Sequence, residues 1–300
     1  MIKTIDDFEK KEVGVIKENV SFKALTTFKT GGNAKYVVSP SNVDNLKYVI
    51  EKLKENKVSF KIFGNGSNIL VSDNDYNGVI VKLNLLNNLE NNDGMIIVEA
   101  GYSFMKLAND LSKLGYSGLE WACGIPGTIG GAVYMNAGAY KSSLSDVLLN
   151  VKIMDENFEI KELKKEALEY SYRSSIFMKK DWIILSATLQ LEKKDVEEVM
   201  KVVNDRKDRR ITSQPLEFPS AGSVFRNPEG AFAGELIEKC LLKGQMVGGA
   251  QISDKHANFI INRENATSSD IKELMDLAQE EVYDKFKIKL KIEQELFNWE

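Results

Sequence analysis

Apolar residues recur along the chain in two rhythms. Over residues 43–57 they fall at Val43, Leu46, Val49, Ile50 and Leu53, the three-and-four spacing of one helical face. Residues 58–63 then read as a strand that stops at Gly64-Asn65-Gly66-Ser67-Asn68, after which Ile69-Leu70-Val71 resumes strand character. Residues 79–83 and 95–100 predict two more strands. Ser103 is placed to cap a helix over 103–114 that turns Leu107, Ala108, Leu111 and Leu114 to one side. A hairpin is predicted at 147–155 and 158–163 around Glu156-Asn157, an apolar strand at 182–191, and a charged amphipathic helix at 195–210. Residues 212–219 hold two of the five prolines, Pro215 and Pro219, and mark a domain boundary. Beyond it come a helix near 232–242, strands near 246–252 and 257–262, a helix over 269–286 and a last strand from Leu290. No internal repeat occurs. The class is α+β with mixed strands.

Composition narrows the reading without changing it. A length of 300 residues favours two domains or three, and 43% apolar with 28% charged residues excludes global disorder. The net charge of −4 argues against nucleic acid or another extended polyanion as partner. Two cysteines, Cys123 and Cys240, and one histidine, His256, cannot build a disulfide framework or a Cys/His metal centre, so no metal is expected and a reducing cytoplasm suits the chain. The charged first seven residues contain no apolar signal core. Twenty consecutive residues, 121–140, carry no formal charge, a length that could span a bilayer. Five glycines, a proline and an asparagine fall within them, and irregular backbone is costly in lipid. That stretch is therefore expected as glycine-rich irregular chain inside a protein or along a ligand, with no membrane contact.

Gly64-Asn65-Gly66-Ser67-Asn68 follows a strand, yet it is no dinucleotide fingerprint: the sixth position is Ile69, and a strand, not a helix, comes next. Gly-Lys-Ser/Thr is also absent, which excludes a P-loop. Two readings stay open for this loop, an ordinary hairpin turn and an anion-binding nest of backbone N–H groups supplemented by Ser67 and Asn68. The second run, Gly124-Ile125-Pro126-Gly127-Thr128-Ile129-Gly130-Gly131 continuing to Gly138, lets backbone approach a flat ligand closely, because glycine has no Cβ in the way. Tight packing of chain on chain is the alternative.

Taken with Thr30-Gly31-Gly32, Tyr172-Arg173-Ser174-Ser175-Ile176-Phe177, Ala221-Gly222-Ser223-Val224-Phe225-Arg226-Asn227-Pro228 and Ile288-x-Leu290-x-x-Glu293, these runs give the chain a family likeness. It resembles the UDP-N-acetylenolpyruvoylglucosamine reductases, flavoproteins with the vanillyl-alcohol-oxidase type of FAD-binding domain, and in particular their shorter subtype. The motifs run in order from about residue 20 to 293, nearly the whole chain. The resemblance implies an FAD-binding module over 1–200, with subdomains of about 1–83 and 84–200, and an α+β substrate domain over 201–300. It implies non-covalent FAD held by Gly64, Asn65, Gly66, Ser67 and Asn68 and by Gly124, Ile125, Pro126, Gly127, Thr128, Gly130, Gly131 and Gly138. It implies NADPH as reductant and UDP-N-acetylglucosamine enolpyruvate as substrate, in a chain expected to be a monomer. The family's reaction carries hydride from NADPH through the flavin to the enolpyruvyl methylene carbon, giving UDP-N-acetylmuramate for peptidoglycan.

Hydride arriving at that carbon pushes charge onto its neighbour and the attached carboxylate. A cation, hydrogen-bond donors and a proton source are needed there. The resemblance places these roles on Arg173, Ser223 and Glu293. The residues themselves speak for Arg173: with 34 lysines and only six arginines, an arginine between tyrosine and serine suggests a fork onto a carboxylate. Arg206 and Arg209, in the charged helix, are expected in surface ion pairs. Ser223 has no Ser-His-Asp context, so it is no hydrolase nucleophile. Glu293 and Glu295 are expected on one strand and one face; beside a developing dianion, Glu293 is expected to be neutral and to donate. Tyr140, Arg173 and Asn227 match substrate-contacting positions. Lys29 and Ser213 depart from the family's arginine and lysine, and the second departure leaves Arg210 or a nearby lysine as alternatives for a phosphate contact. His256 is expected in a hydrogen-bonded structural role and Cys123 as a small buried filler.

Overall fold

The computed structural model describes residues 1–299. A four-stranded sheet runs in the order Gly14–Ser21, Asn33–Pro40, Tyr76–Lys82, Phe60–Phe63. Its last two strands are parallel, with Phe60 opposite Val79. Helix Val43–Glu55 leads from Asn33–Pro40 into Phe60–Phe63; it buries Leu46, Val49, Ile50 and Leu53 and is capped by Asn42, whose side chain accepts from the Asn45 N–H at 2.8 Å. A five-stranded antiparallel sheet follows, ordered Ile160–Lys164, Leu148–Met154, Ile183–Gln190, Met95–Glu99, Leu89–Asn92. Helix Phe104–Lys113 begins at Ser103, as its spacing predicts, and buries Phe104, Leu107, Ala108 and Leu111.

The chain packs as two units. One comprises residues 1–18, 36–65 and 78–208, the other 19–35, 66–77 and 209–300. Neither is a continuous stretch. Segments 19–35 and 66–77 are drawn to the C-terminal elements because Phe28 and Leu70 belong to the same core as Val224, Phe225, Ile271 and Leu274. In that second unit a sheet of Met246–Val247, Ala250–Ile252 and Ile260–Asn262 is joined by helices Ala233–Lys239 and Ser268–Phe286, and Glu295–Phe297 pairs in parallel with Ile69–Val71. Among the described residues no helix is long and apolar enough to cross a membrane.

Several expectations need correction. The uncharged stretch is not irregular throughout: Ile129–Met135 is a helix that buries Ile129, Ala132 and Val133. Thr128 caps it by accepting the Gly131 N–H at 3.2 Å, and Asn136 ends it at φ +44°. Residues 246–252 form two strands, since Gly248 at φ +50° and Gly249 fold Val247 against Ala250. The charged helix extends to Ser213, just before Pro215 ends it. Residues 2–10 form a helix whose buried Ile5 and Phe8 are masked in the sequence by surrounding charges. Finally, Glu293 precedes the regular strand, which starts at Glu295, and Gln294 lies at a bend between them. Strand alternation therefore does not set Glu293 and Glu295 on one face.

Candidate active site

In the first unit the two glycine runs meet. A Cβ on Gly64 would lie 2.7 Å from Thr128 Oγ1, and Asn65 Nδ2 donates to the Gly127 carbonyl at 3.1 Å. The second run is pinned from behind: Phe104 N–H donates to Gly127 O, Ile129 N–H to Tyr102 O and Gly130 N–H to Ala100 O, at 3.1, 3.0 and 2.8 Å. Some glycines are demanded by the protein's own packing. A Cβ on Gly138 would come 2.5 Å from the Ser142 carbonyl, and one on Gly130 would meet the Ala100 Cβ at 3.1 Å. Gly131 is exposed, and a Cβ there would meet nothing closer than Thr128 Oγ1 at 3.5 Å. Pro126 is also exposed, while Gly124, Ile125 and Gly127 are half-buried.

Arg173 sits in a tight turn closed by reciprocal 3.2 Å backbone bonds between Ser171 and Ser174. Its φ of +53° is unusual for a residue with a Cβ, and the surroundings must over-determine it. They do so through the helix of the uncharged stretch: Ser175 Oγ donates to Tyr134 O at 2.6 Å and Asn136 Nδ2 to Ser171 O at 3.1 Å. The guanidinium is half-buried, donates to Gly138 O at 2.7 Å and lies over the Tyr172 ring. Tyr140, at φ +54°, donates its hydroxyl to Arg206 O at 3.2 Å, and the Arg206 guanidinium stacks 4.4 Å from its ring centre. Arg206 also pairs with Asp205 at 3.2 Å, the surface ion pair its helix suggested.

In the second unit the segments of Ser223 and Glu293 lie side by side. Phe225 bridges Ile292, the Glu293 N–H donates to Val224 O at 2.8 Å and the Arg226 N–H to Lys291 O at 2.9 Å. The other edge of Glu293 is tied to the first glycine loop: Asn68 Nδ2 donates to Glu293 O at 3.2 Å, and Asn68 O accepts the Glu295 N–H at 2.9 Å. Gly66 needs its lack of a side chain, because at φ +60° a Cβ would come 2.2 Å from the Leu25 carbonyl. Ser223 and Glu293 are both half-buried, and Gly222, at φ +74°, is open on the side a Cβ would occupy.

The chain is 43% identical over 298 residues to the UDP-N-acetylenolpyruvoylglucosamine reductase of Anoxybacillus flavithermus, covering 99% of each. With that of Bacillus subtilis it shares 42% over 298 residues, 99% of this chain and 98% of the other. It belongs to the UDP-N-acetylenolpyruvoylglucosamine reductase family. Residues 214–297 match the C-terminal domain of that reductase and residues 34–164 an FAD-binding domain. The crystal structure of the reductase from Thermus caldophilus superposes with a TM-score of 0.82 at 31% identity, over 94% of this chain and 100% of that one.

The residues present fit the FAD of this reductase family. Residues 64–68 and 124–131 contain no carboxylate, so nothing in the loops opposes a pyrophosphate, and their donors are backbone N–H, amide and hydroxyl groups. The FAD-domain match contains both glycine runs, and the C-terminal match contains Ser223, Asn227 and Glu293. Arg173 belongs to the first packing unit, Ser223 and Glu293 to the second. Asn227 has a structural task as well, since its Oδ1 accepts the Ala233 N–H at 3.0 Å at the start of helix Ala233–Lys239. Lys29 is exposed at φ +56°, and Ser213 Oγ turns back onto Arg209 O at 2.7 Å. His256 accepts the Asn258 N–H on Nδ1 at 3.2 Å, and burial lowers its pKa. Cys123 is buried, and burial raises the pKa of its thiol. The roles of Asn258 and Gln294 have no signal in the sequence. Each is a lone amide whose role only its tertiary partners reveal.

Proposed function

We propose that this chain catalyses the NADPH-driven reduction of the enolpyruvyl ether of UDP-N-acetylglucosamine to UDP-N-acetylmuramate, in the cytoplasm and as a monomer. The observation that carries this reading is identity above 40% over nearly the full length to reductases of that name. Bound FAD supplies hydride transfer from the nicotinamide to the enolpyruvyl methylene carbon. Residues 64–68, 124–128, 130, 131 and 138, all within the first 200, serve FAD, and the chain after residue 200 serves mainly the sugar nucleotide.

The chain's own groups do the rest. Arg173 sets a permanent positive charge toward the substrate carboxylate as charge accumulates there. Its bond to the Gly138 carbonyl supports this role by fixing the guanidinium plane. Ser223 delivers the proton to the carbon next to the methylene. A hydroxyl is a poor acid in water, but a carbanion-like carbon is more basic than the alkoxide left behind, so the transfer runs downhill. Glu293, as the neutral acid, donates a hydrogen bond to the same developing charge, because an ionised carboxylate would repel it. Tyr140 and Asn227 contact the substrate.

The test separates the two half-reactions. In anaerobic Ser223→Ala, NADPH should bleach the flavin at the normal rate. Recovery of the oxidised spectrum on adding the enolpyruvyl nucleotide should slow by about 10²–10⁴-fold, the range for loss of a general acid. Recovery at the unaltered rate would remove Ser223 from the mechanism.

A further inference from the structure

We propose that Gln294 and Asn258 are positioning residues, two buried side-chain amides that hold Ser223 in place for proton delivery. The inference rests on the reading of Ser223 as proton donor. Ser223 lies on chain with no regular element of its own, directly after Gly222 at φ +74° in open space. Such a backbone is free to swing unless its polar groups are anchored. Upstream, Gln294 Nε2 donates to both Ala221 O and Gly222 O, at 3.1 and 3.4 Å. Downstream, Asn258 takes Val224 N–H on its carbonyl at 2.9 Å, and its side chain clamps Phe225. Oδ1 accepts the Phe225 N–H at 2.9 Å and Nδ2 donates to Phe225 O at 2.8 Å. The amide of Asn258 thus stands in for a neighbouring strand.

Both residues are 4% exposed, so solvent cannot replace their bonds. Gln294 Oε1 is buried with no hydrogen-bond partner among the described residues. Turning the amide over would set this oxygen against two carbonyl oxygens, so the orientation is fixed although it leaves an acceptor unsatisfied. Gln294 also follows Glu293, whose N–H holds Val224 O. One dipeptide therefore places the acid's backbone and tethers the serine's, while His256 Nδ1, accepting the Asn258 N–H, steadies the second clamp.

The experiment uses the full-length, FAD-loaded protein and its two half-reactions. Gln294→Met keeps the volume and removes both polar atoms. Flavin reduction by NADPH should stay within about twofold, while reoxidation by the enolpyruvyl nucleotide should fall at least about tenfold. The solvent deuterium isotope effect on reoxidation should rise. Added to Ser223→Ala, the same substitution should cost nothing more, because the group it positions is gone. The idea is overturned if Gln294→Met reoxidises normally, if both half-reactions slow alike, or if its effect multiplies with that of Ser223→Ala. If Ser223→Ala itself reoxidises at the unaltered rate, the proton-donor reading fails first and takes this one with it. Gln294→Glu provides a second variant should the first fail to fold. Reoxidation should recover as pH falls and the carboxyl regains a proton to donate, and a flat profile sinks the proposal.

Discussion

Arg173 is held in place by more than its sequence neighbours. A φ of +53° costs an L-residue roughly 1–2 kcal/mol, and the turn keeps it because Ser175 and Asn136 fasten both flanks to the helix of the uncharged stretch. At the same scale, Asp155 decides the hairpin between Leu148–Met154 and Ile160–Lys164. Its side chain is 4% exposed, and its Oδ1 accepts N–H groups from Asn157 and Glu159 at 2.9 and 3.0 Å. The Lys161 ammonium, foremost, holds this carboxyl below the ordinary aspartate value of 3.8; the two backbone donors help, and burial opposes them. A carboxylate with a depressed folded pKa stabilises above the unfolded value and loses that contribution as pH falls through the folded one. Asp155→Asn should therefore melt below the parent protein at pH 7, and the gap should close below pH 3.8. Melting curves across that range check it, and a gap independent of pH would count against the ionised form.

Among the elements, helix Ser268–Phe286 has the most completely satisfied start. Thr267 accepts the Asp270 N–H at 3.0 Å and the Asp270 carboxylate accepts the Thr267 N–H at 2.9 Å, a capping box. Asp73 takes the next two donors, Ser268 N–H and Ser269 N–H, at 2.8 and 2.9 Å, placing a negative charge at the positive end of the helix. Periodicity locates this helix to within a residue; the part played by Asp73, 195 positions earlier, was invisible to it. Thr267→Ala should destabilise by about 1 kcal/mol, read from urea unfolding. The helix Ile129–Met135 teaches the reverse lesson. Glycines at its second and third positions depress helix propensity, and a buried face with a threonine cap overrides them.

At the scale of the molecule, the first glycine loop, proposed for FAD, falls where the chain passes from one packing unit to the other: Gly64 and Asn65 count with one, Gly66, Ser67 and Asn68 with the other. A ligand that binds only folded chain stabilises by RT ln(1 + [L]/Kd), about 2.7 kcal/mol at one hundred times Kd. Stripping FAD should lower the melting temperature, and returning it should raise the temperature continuously with the logarithm of its concentration. A melting temperature indifferent to FAD would contradict FAD binding by the folded chain.

The α+β class, the helices over 43–57 and 103–114, the hairpin near 156 and the family motifs were legible in the sequence, because spacing along the chain alone produces an amphipathic face or a turn. Gly64 and Gly66 could be suspected but not explained: one is required by Thr128, the other by the Leu25 carbonyl. The discontinuous packing units, the Val224–Glu293 pairing and the amides of Asn258 and Gln294 belong to the tertiary structure alone. Such bonds join residues tens of positions apart, so only the folded chain brings their donors and acceptors within reach.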